Sequence, residues 1–428
     1  MQRRPLVTLA VLGTTLALVA GACGYGGSSQ GSQSKSSAGG SNNAASSGNA
    51  VNVGIATVQS GSVAEIGQTG VQGVRMAVQD LNAKGGLLGK KIHLVTADSH
   101  ADASTGANEV RNMVQNDHIV ADFGAVSSAV GVAEEAVTSS HHVPFIGFTD
   151  NDVTLMTTHG NKWSFQVVPN TYMEPRAVAY YVKQKYGSKP IRVATITPNY
   201  NFGLSEVSNF LAGLKEYHVN ATIVTQQKPK LGETNFDSYI SAILAKNPTF
   251  VFGGIYGGDL VTFTKQAAGF GLFKKVKMAA QYNRAQLQAL GSSNPAAGGV
   301  GFDRAAFWAM KNLDKSWVNR FHKEYNNWPT AWAVLGYSAV QTWAYAVKKA
   351  GSFGGTKVAG TLPGATVQTI RGPITIRACD HQALVPEYVG PISNKVNPAY
   401  GFPTYVKAQT QVVSAKKIID PCGYKPSS

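Results

Sequence analysis

From Val51 onward the chain alternates short β-branched runs with helix-spaced apolar residues, and after about 140 residues the same layout starts again. The segment Val51-Asn52-Val53-Gly54-Ile55-Ala56 has a strand pattern, and a polar turn, Gln59-Ser60-Gly61-Ser62, follows it. Val71, Val74, Val78 and Leu81 then recur at three, four and three, one face of a helix, which Gly85-Gly86 ends. Strands are predicted at 91–97, 119–123 and 143–148, with helices through Val110 and Val114 and from about Ser128. The second cycle has strands at 191–196, 221–225 and 249–254, with helices carrying Val207, Phe210 and Leu214 and spanning about 236–244. Val53 corresponds to Val193, Leu94 to Val224 and Val120 to Val251. Strands alternating with helices imply parallel sheets covered on both faces. The expectation is an α/β fold with two doubly wound parallel-sheet lobes and a ligand cleft between them, at the carboxyl ends of the strands.

With 428 residues, 43% of them hydrophobic and 14% charged, two ordinary cores are affordable and global disorder is excluded. The net charge of +15 includes Arg3 and Arg4 of a leader, and the other basic residues are scattered. Nucleic-acid surfaces cluster their charge, so no nucleic-acid partner is expected.

Arg3 and Arg4, the apolar stretch from Leu6 to Val19 and Ala20-Gly21-Ala22 before Cys23 read as a secretory signal, residues 1–22, too short for a membrane span. The site around Cys23 resembles a bacterial lipobox, with Ala20 in place of the usual Leu, and implies lipidation of Cys23. With Cys23 so used, Cys379 and Cys422 remain as a pair in an oxidising compartment, and a disulfide between them is expected. Residues 23–50 are dominated by Gly, Ser, Asn and Gln and read as a flexible tether, of mean reach about 28 Å. The expected location is the outer face of the cytoplasmic membrane, held by the lipid.

Enzyme signatures are thin: the sequence holds no His-Glu-x-x-His, Cys-x-x-Cys or Gly-x-Ser-x-Gly. Gly85-Gly86-Leu87-Leu88-Gly89-Lys90-Lys91 departs from a phosphate loop at both ends and reads as a tight turn. His141-His142 lacks ligands at metal spacing, so neither metal nor cofactor is expected. Asp98 and Asp102 are expected to cap the helix beginning near Ala103.

Gly73 to Asn82, Lys84-Gly85-Gly86, Gly89-Lys90-Lys91-Ile92, Asp98 and Gly124-Ala125-Val126-Ser127-Ser128 together resemble the type I periplasmic binding proteins, in the leucine/isoleucine/valine-binding branch. Val143-Pro144-Phe145-Ile146, Asn201-Phe202-Gly203, Gly336-Tyr337 and the stretch Ile376 to Gln382 continue the likeness, which spans about Val51 to Gly401. The resemblance implies two lobes joined by three crossings that close on a small solute, and a membrane permease with ATPases as partner, the protein acting as a monomer and catalysing nothing. The boundaries it implies are 51–171 for lobe 1, 172–303 for lobe 2, 304–365 for a return to lobe 1, and 366–428 for a return to lobe 2 and the C-terminal segment.

Ser127 and Ser128 stand between a strand end and a helix start, where free N–H groups suit a carboxylate, and the family uses that loop so. Thr149 and Asn151 fall at the family's polar-head positions, Phe202 and Tyr256 at or near aromatics that cover the ligand, and Ser60, Gln281 and Tyr282 complete the expected set. The amino-acid binders carry an acid near Gln281-Tyr282-Asn283, and none is present here. Either Asp150 supplies the charge for an amino acid, or the ligand lacks an ammonium, as an amide, a urea-like compound or an aromatic acid does. A sensory module of the same fold is the alternative to an importer's receptor.

Overall fold

The computed structural model describes residues 48–425; the leader, Cys23 and most of the tether lie outside them. Lobe 1 opens with β1 (Ala50–Thr57), α1 (Ala64–Ala83), β2 (Lys91–Asp98), α2 (Ala103–Gln115), β3 (Asp122–Phe123), α3 (Ser128–Ser140), β4 (Phe145–Gly147), α4 (Thr154–Thr157) and β5 (Ser164–Gln166). Its sheet is parallel, in the order β2-β1-β3-β4-β5. Alternation along β1 divides its side chains between two cores. Val53 and Ile55 join the main core with Val74 and Val78 of α1, while Ala56 packs with Val110, Met113 and Val137 of α2 and α3. That is the double winding the sequence implied.

Lobe 2 follows with α5 (Met173–Tyr186), β6 (Ile191–Ile196), α6 (Asn201–Glu216), β7 (Ala221–Gln227), α7 (Asp237–Ala245), β8 (Phe250–Gly253), α8 (Gly257–Gly269), α9 (Leu272–Lys275), β9 (Lys277–Ala280), α10 (Arg284–Leu290) and β10 (Val300–Asp303). The strand order β7-β6-β8-β9-β10 repeats that of lobe 1, element for element. The chain then returns through α11 (Lys315–Tyr325), α12 (Ala331–Ala350) and α13 (Gly355–Ala359). α12 lies so close on α1 that a Cβ on Gly73 would stand 2.0 Å from the Ala333 carbonyl oxygen. Arg320 of α11 adds an exposed ion pair to Asp80.

β11 (Thr366–Thr369), β12 (Gly372–Ile376) and β13 (Ala383–Leu384) form a small antiparallel sheet. The boundary expected at 366 is corrected here, because this sheet sits with lobe 1. Ile370 N donates to Gln341 of α12, Arg371 Nη1 donates to Val167 O, and Gln382 bridges to Gln166 of β5. Lobe 2 resumes only with β14 (Glu387–Asn397), antiparallel to β10, followed by β15 (Phe402–Tyr405) and β16 (Gln411–Val413).

The C-terminal segment runs from lobe 2 back to lobe 1. α14 (Ala415–Ile418) lies on α5, with Lys417 Nζ 2.7 Å from Tyr180 Oη. Asp420 then receives Arg377 and Asn170, and a disulfide joins Cys422 to Cys379, in the loop between β12 and β13. The Gly85-Gly86 turn is as expected: both glycines have positive φ, and Leu87 and Lys90 exchange backbone hydrogen bonds. Asp102 caps α2 through Thr105 N, whereas Asp98 takes the N–H groups of Gln59 and His100 and caps no helix.

Candidate functional site

The carboxyl ends of both sheets face one another, as doubly wound sheets require of a binding crevice. Between them lies a narrow chamber that the side chains of the two lobes nearly fill. Lobe 1 contributes Val126 after β3, Thr149 and Asn151 after β4, Ile66 of α1 and Trp332 of α12. Lobe 2 contributes Tyr200 after β6, Phe202 of α6, Tyr256 after β8 and Gln281 after β9. Arg304 stands at the crossing that follows β10.

The aromatics form a continuous wall. Tyr200 and Tyr256 share a 2.7 Å hydroxyl–hydroxyl hydrogen bond, and Phe202 packs edge-on against Tyr256 with centroids 5.2 Å apart. Opposite them the Arg304 guanidinium lies 4.8 Å from the Trp332 ring centroid, a cation–π contact.

The polar floor is built on Glu174, in the first turn of α5, fully buried. Its carboxylate accepts from Arg304 Nε at 3.1 Å to both oxygens, from Asn151 Nδ2 at 2.7 Å and from Gln281 Nε2 at 2.5 Å, and pairs with Arg304 Nη2 at 3.0 Å. Burial pushes the Glu174 carboxyl up, and Arg304 and the two amides oppose it. Because every partner is a donor, the geometry is that of a carboxylate. Arg304 Nη1 also donates to Thr149 O at 2.7 Å, so one guanidinium ties both lobes together.

Of the expected ligand set, Thr149, Asn151, Phe202, Tyr256 and Gln281 line the chamber. Five others do not. Ser60 is outside, bonded to His100 at 2.8 Å in the loop that Asp98 organises. Ser127 precedes α3 without a side-chain cap and faces a neighbouring groove with Lys228 and Lys230, which shares Tyr200 with the chamber. The Ser128 hydroxyl is turned to the chain, accepting Asn151 N and Asp152 N, and so shapes the polar loop from behind. Tyr282 points into lobe 2, bonded to Thr264.

Asp150 departs furthest from expectation. Its carboxyl is fully buried against α3, and a Cβ on Gly131 would fall 2.4 Å from its Oδ2. Burial pushes its pKa well above the usual range, and Glu135 and Asp122 add to the effect. It offers no charge to the chamber. Ile66, Val126, Tyr200, Arg304, Trp332 and the supporting Glu174 were absent from the expected set. Two of them carried a signal: Tyr200, two residues before Phe202 and just past a strand end, and Val126, next to Ser127 in the loop after β3.

The lobes also meet at the cleft mouth. Gly258 N donates to Ser62 O at 3.0 Å, and Arg284 Nη1 stands 2.8 Å from Glu65 Oε1.

Residues 50–396 match the family described as periplasmic binding protein. This chain belongs to that family. Its fold is of type I, and the relatives it matches include leucine-binding and Leu/Ile/Val-binding proteins. The leucine-specific-binding protein of Salmonella typhimurium is 25% identical over 326 residues, 76% of this chain and 86% of that one. A periplasmic binding protein from Burkholderia mallei has a TM-score of 0.78 at 22% identity, covering 87% of this chain and 96% of its own. A solute-binding protein of an ABC transporter from Rhodopseudomonas palustris, solved with 3,4-dihydroxybenzoic acid, has a TM-score of 0.76 at 19% identity, covering 86% and 98%. Family members are extracytoplasmic solute-binding proteins that work with ABC permeases, and are not enzymes.

Proposed function

We propose that this protein is the receptor of an ABC importer, held at the membrane through Cys23, that captures a small organic solute by closing its two lobes and hands it to the permease. The observation that carries the reading is the chamber itself. Side chains of both lobes wall it, and Arg304 contacts Thr149 of one lobe and Glu174 of the other. Contacts made only on closure are what let a ligand shift such an equilibrium. The ligand is an amino acid, as the name of the Salmonella relative suggests, or an amine-free compound such as an aromatic acid, as that of the Rhodopseudomonas protein suggests.

A thermal-shift screen of the chain from Asn49, against amino acids, amides, urea and aromatic acids, tests the reading. A true ligand at 100 times its Kd adds about 2.7 kcal/mol. Small-angle scattering should show the particle contract with the same compound. Stabilisation by no compound, or stabilisation without contraction, would remove the reading.

A further inference from the structure

The chamber has a cation on its wall but, among the described residues, no carboxylate in its lining. Guanidinium carries five N–H donors. The contacts of Arg304 engage Nε, one N–H of Nη1 and one of Nη2, which leaves two for whatever enters. Glu174 is in the opposite condition. Its two oxygens already receive Arg304, Asn151 and Gln281, which fills the roughly four acceptor sites of a carboxylate.

The other acids near this floor do not reach the chamber. Glu206 of α6 and Glu387 of β14 are fully buried, neither lines the space, and burial pushes both carboxyls well above the usual range. Asp303 turns its Oδ1 to Ala305 N. Asp150 is sealed behind α3. An ammonium in the chamber would therefore be stripped of water with no carboxylate to pair with, only amide and hydroxyl oxygens and ring faces, which is costly.

We propose that Arg304 and Glu174 set the charge selectivity of the chamber: Arg304 anchors the carboxylate of a solute with a planar or apolar body, and Glu174, occupied by Arg304, Asn151 and Gln281, leaves no carboxylate free for an ammonium. The substrate class is a small monocarboxylate without an amine, its body held between the Tyr200–Phe202–Tyr256 wall and Trp332. Arg304 is the anchoring residue and Glu174 the positioning one. The inference rests on the receptor reading above and narrows it.

Matched pairs of ligands test it on the unaltered protein by titration calorimetry: 4-methylpentanoate against leucine, and 3-phenylpropanoate against phenylalanine. Each pair shares a skeleton and differs by the ammonium. The acid without the amine should bind at least about tenfold tighter in at least one pair, the loss expected for a stripped, unpartnered charge. Arg304→Gln should weaken that acid at least tenfold and Arg304→Lys less. Leucine or phenylalanine binding as tightly as its partner would overturn the proposal and leave the receptor reading standing. Arg304→Gln with unchanged affinity would overturn the anchor, as would a screen in which only amides or urea bind. Silence from the whole screen would overturn both.

Discussion

Glu65, at the start of α1, and Arg284, at the start of α10, join the lobes at the cleft mouth. The Arg284 side chain is 2% exposed and that of Glu65 46%, so water screens the pair and its Coulombic worth must be discounted. Burial pushes the Arg284 guanidinium down, opposed by Glu65. Glu65→Gln keeps the shape and an acceptor oxygen but removes the charge. The loss should be about 0.5–1 kcal/mol, the upper part of the range for exposed pairs, because one partner is buried. The pair spans the lobes and exists only when they meet, so the loss falls on closure rather than on folding of either lobe. Apparent affinity should drop about two- to fivefold. Titration calorimetry with the tightest compound of the screen, at low and at high salt, reads it, and the variant should also be less salt-sensitive. An unchanged Kd with the salt dependence intact would refute this account of the mouth.

Three other outcomes are expected. Burial raises Asp122 and Glu135 to about 8 each, so the folded state binds protons that the unfolded state has released above about pH 4. Stability should fall as pH rises from about 4 through 8; melting temperatures across pH 5–9 should show the slope, and Glu135→Gln should flatten it. Gly73→Ala, with its Cβ 2.0 Å from Ala333 O, should cost about 1–3 kcal/mol in a denaturant titration as α1 and α12 are forced apart. Removing the disulfide by replacing Cys379 and Cys422 with Ser, 43 residues apart, should cost about 2–4 kcal/mol, and an unaltered midpoint would show that Lys417 and Asp420 hold the C-terminal segment without the bridge.

The two lobes were legible because hydrophobic period reports burial, and it did so twice over in the same order. The third crossing was misplaced because β11 to β13 are short, and their fixing groups, Gln341, Val167 and Gln166, lie far away in sequence. Within the site, adjacent residues were credited with one role when the backbone turns them opposite ways. Thr149 and Asn151 face the chamber while Asp150 between them faces α3, and Gln281 faces it while Tyr282 enters the core. Period-two alternation at a strand end would have separated them. Arg304 and Glu174 gave no local sign. Glu174 follows the first crossing and Arg304 opens the second, and only the fold brings together residues 130 apart.

The C-terminal segment adds a fourth connection to the three crossings of the main chain. It is anchored on lobe 2 through α14 and welded to lobe 1 through Cys379. In mechanical terms, a fourth strip fastened beside the crossings, with Asp420 bonded to Asn170 of the first, thickens the joint and stiffens it against twist. On the proposed closure, such a joint would guide the lobes so that each closing brings the same residues face to face.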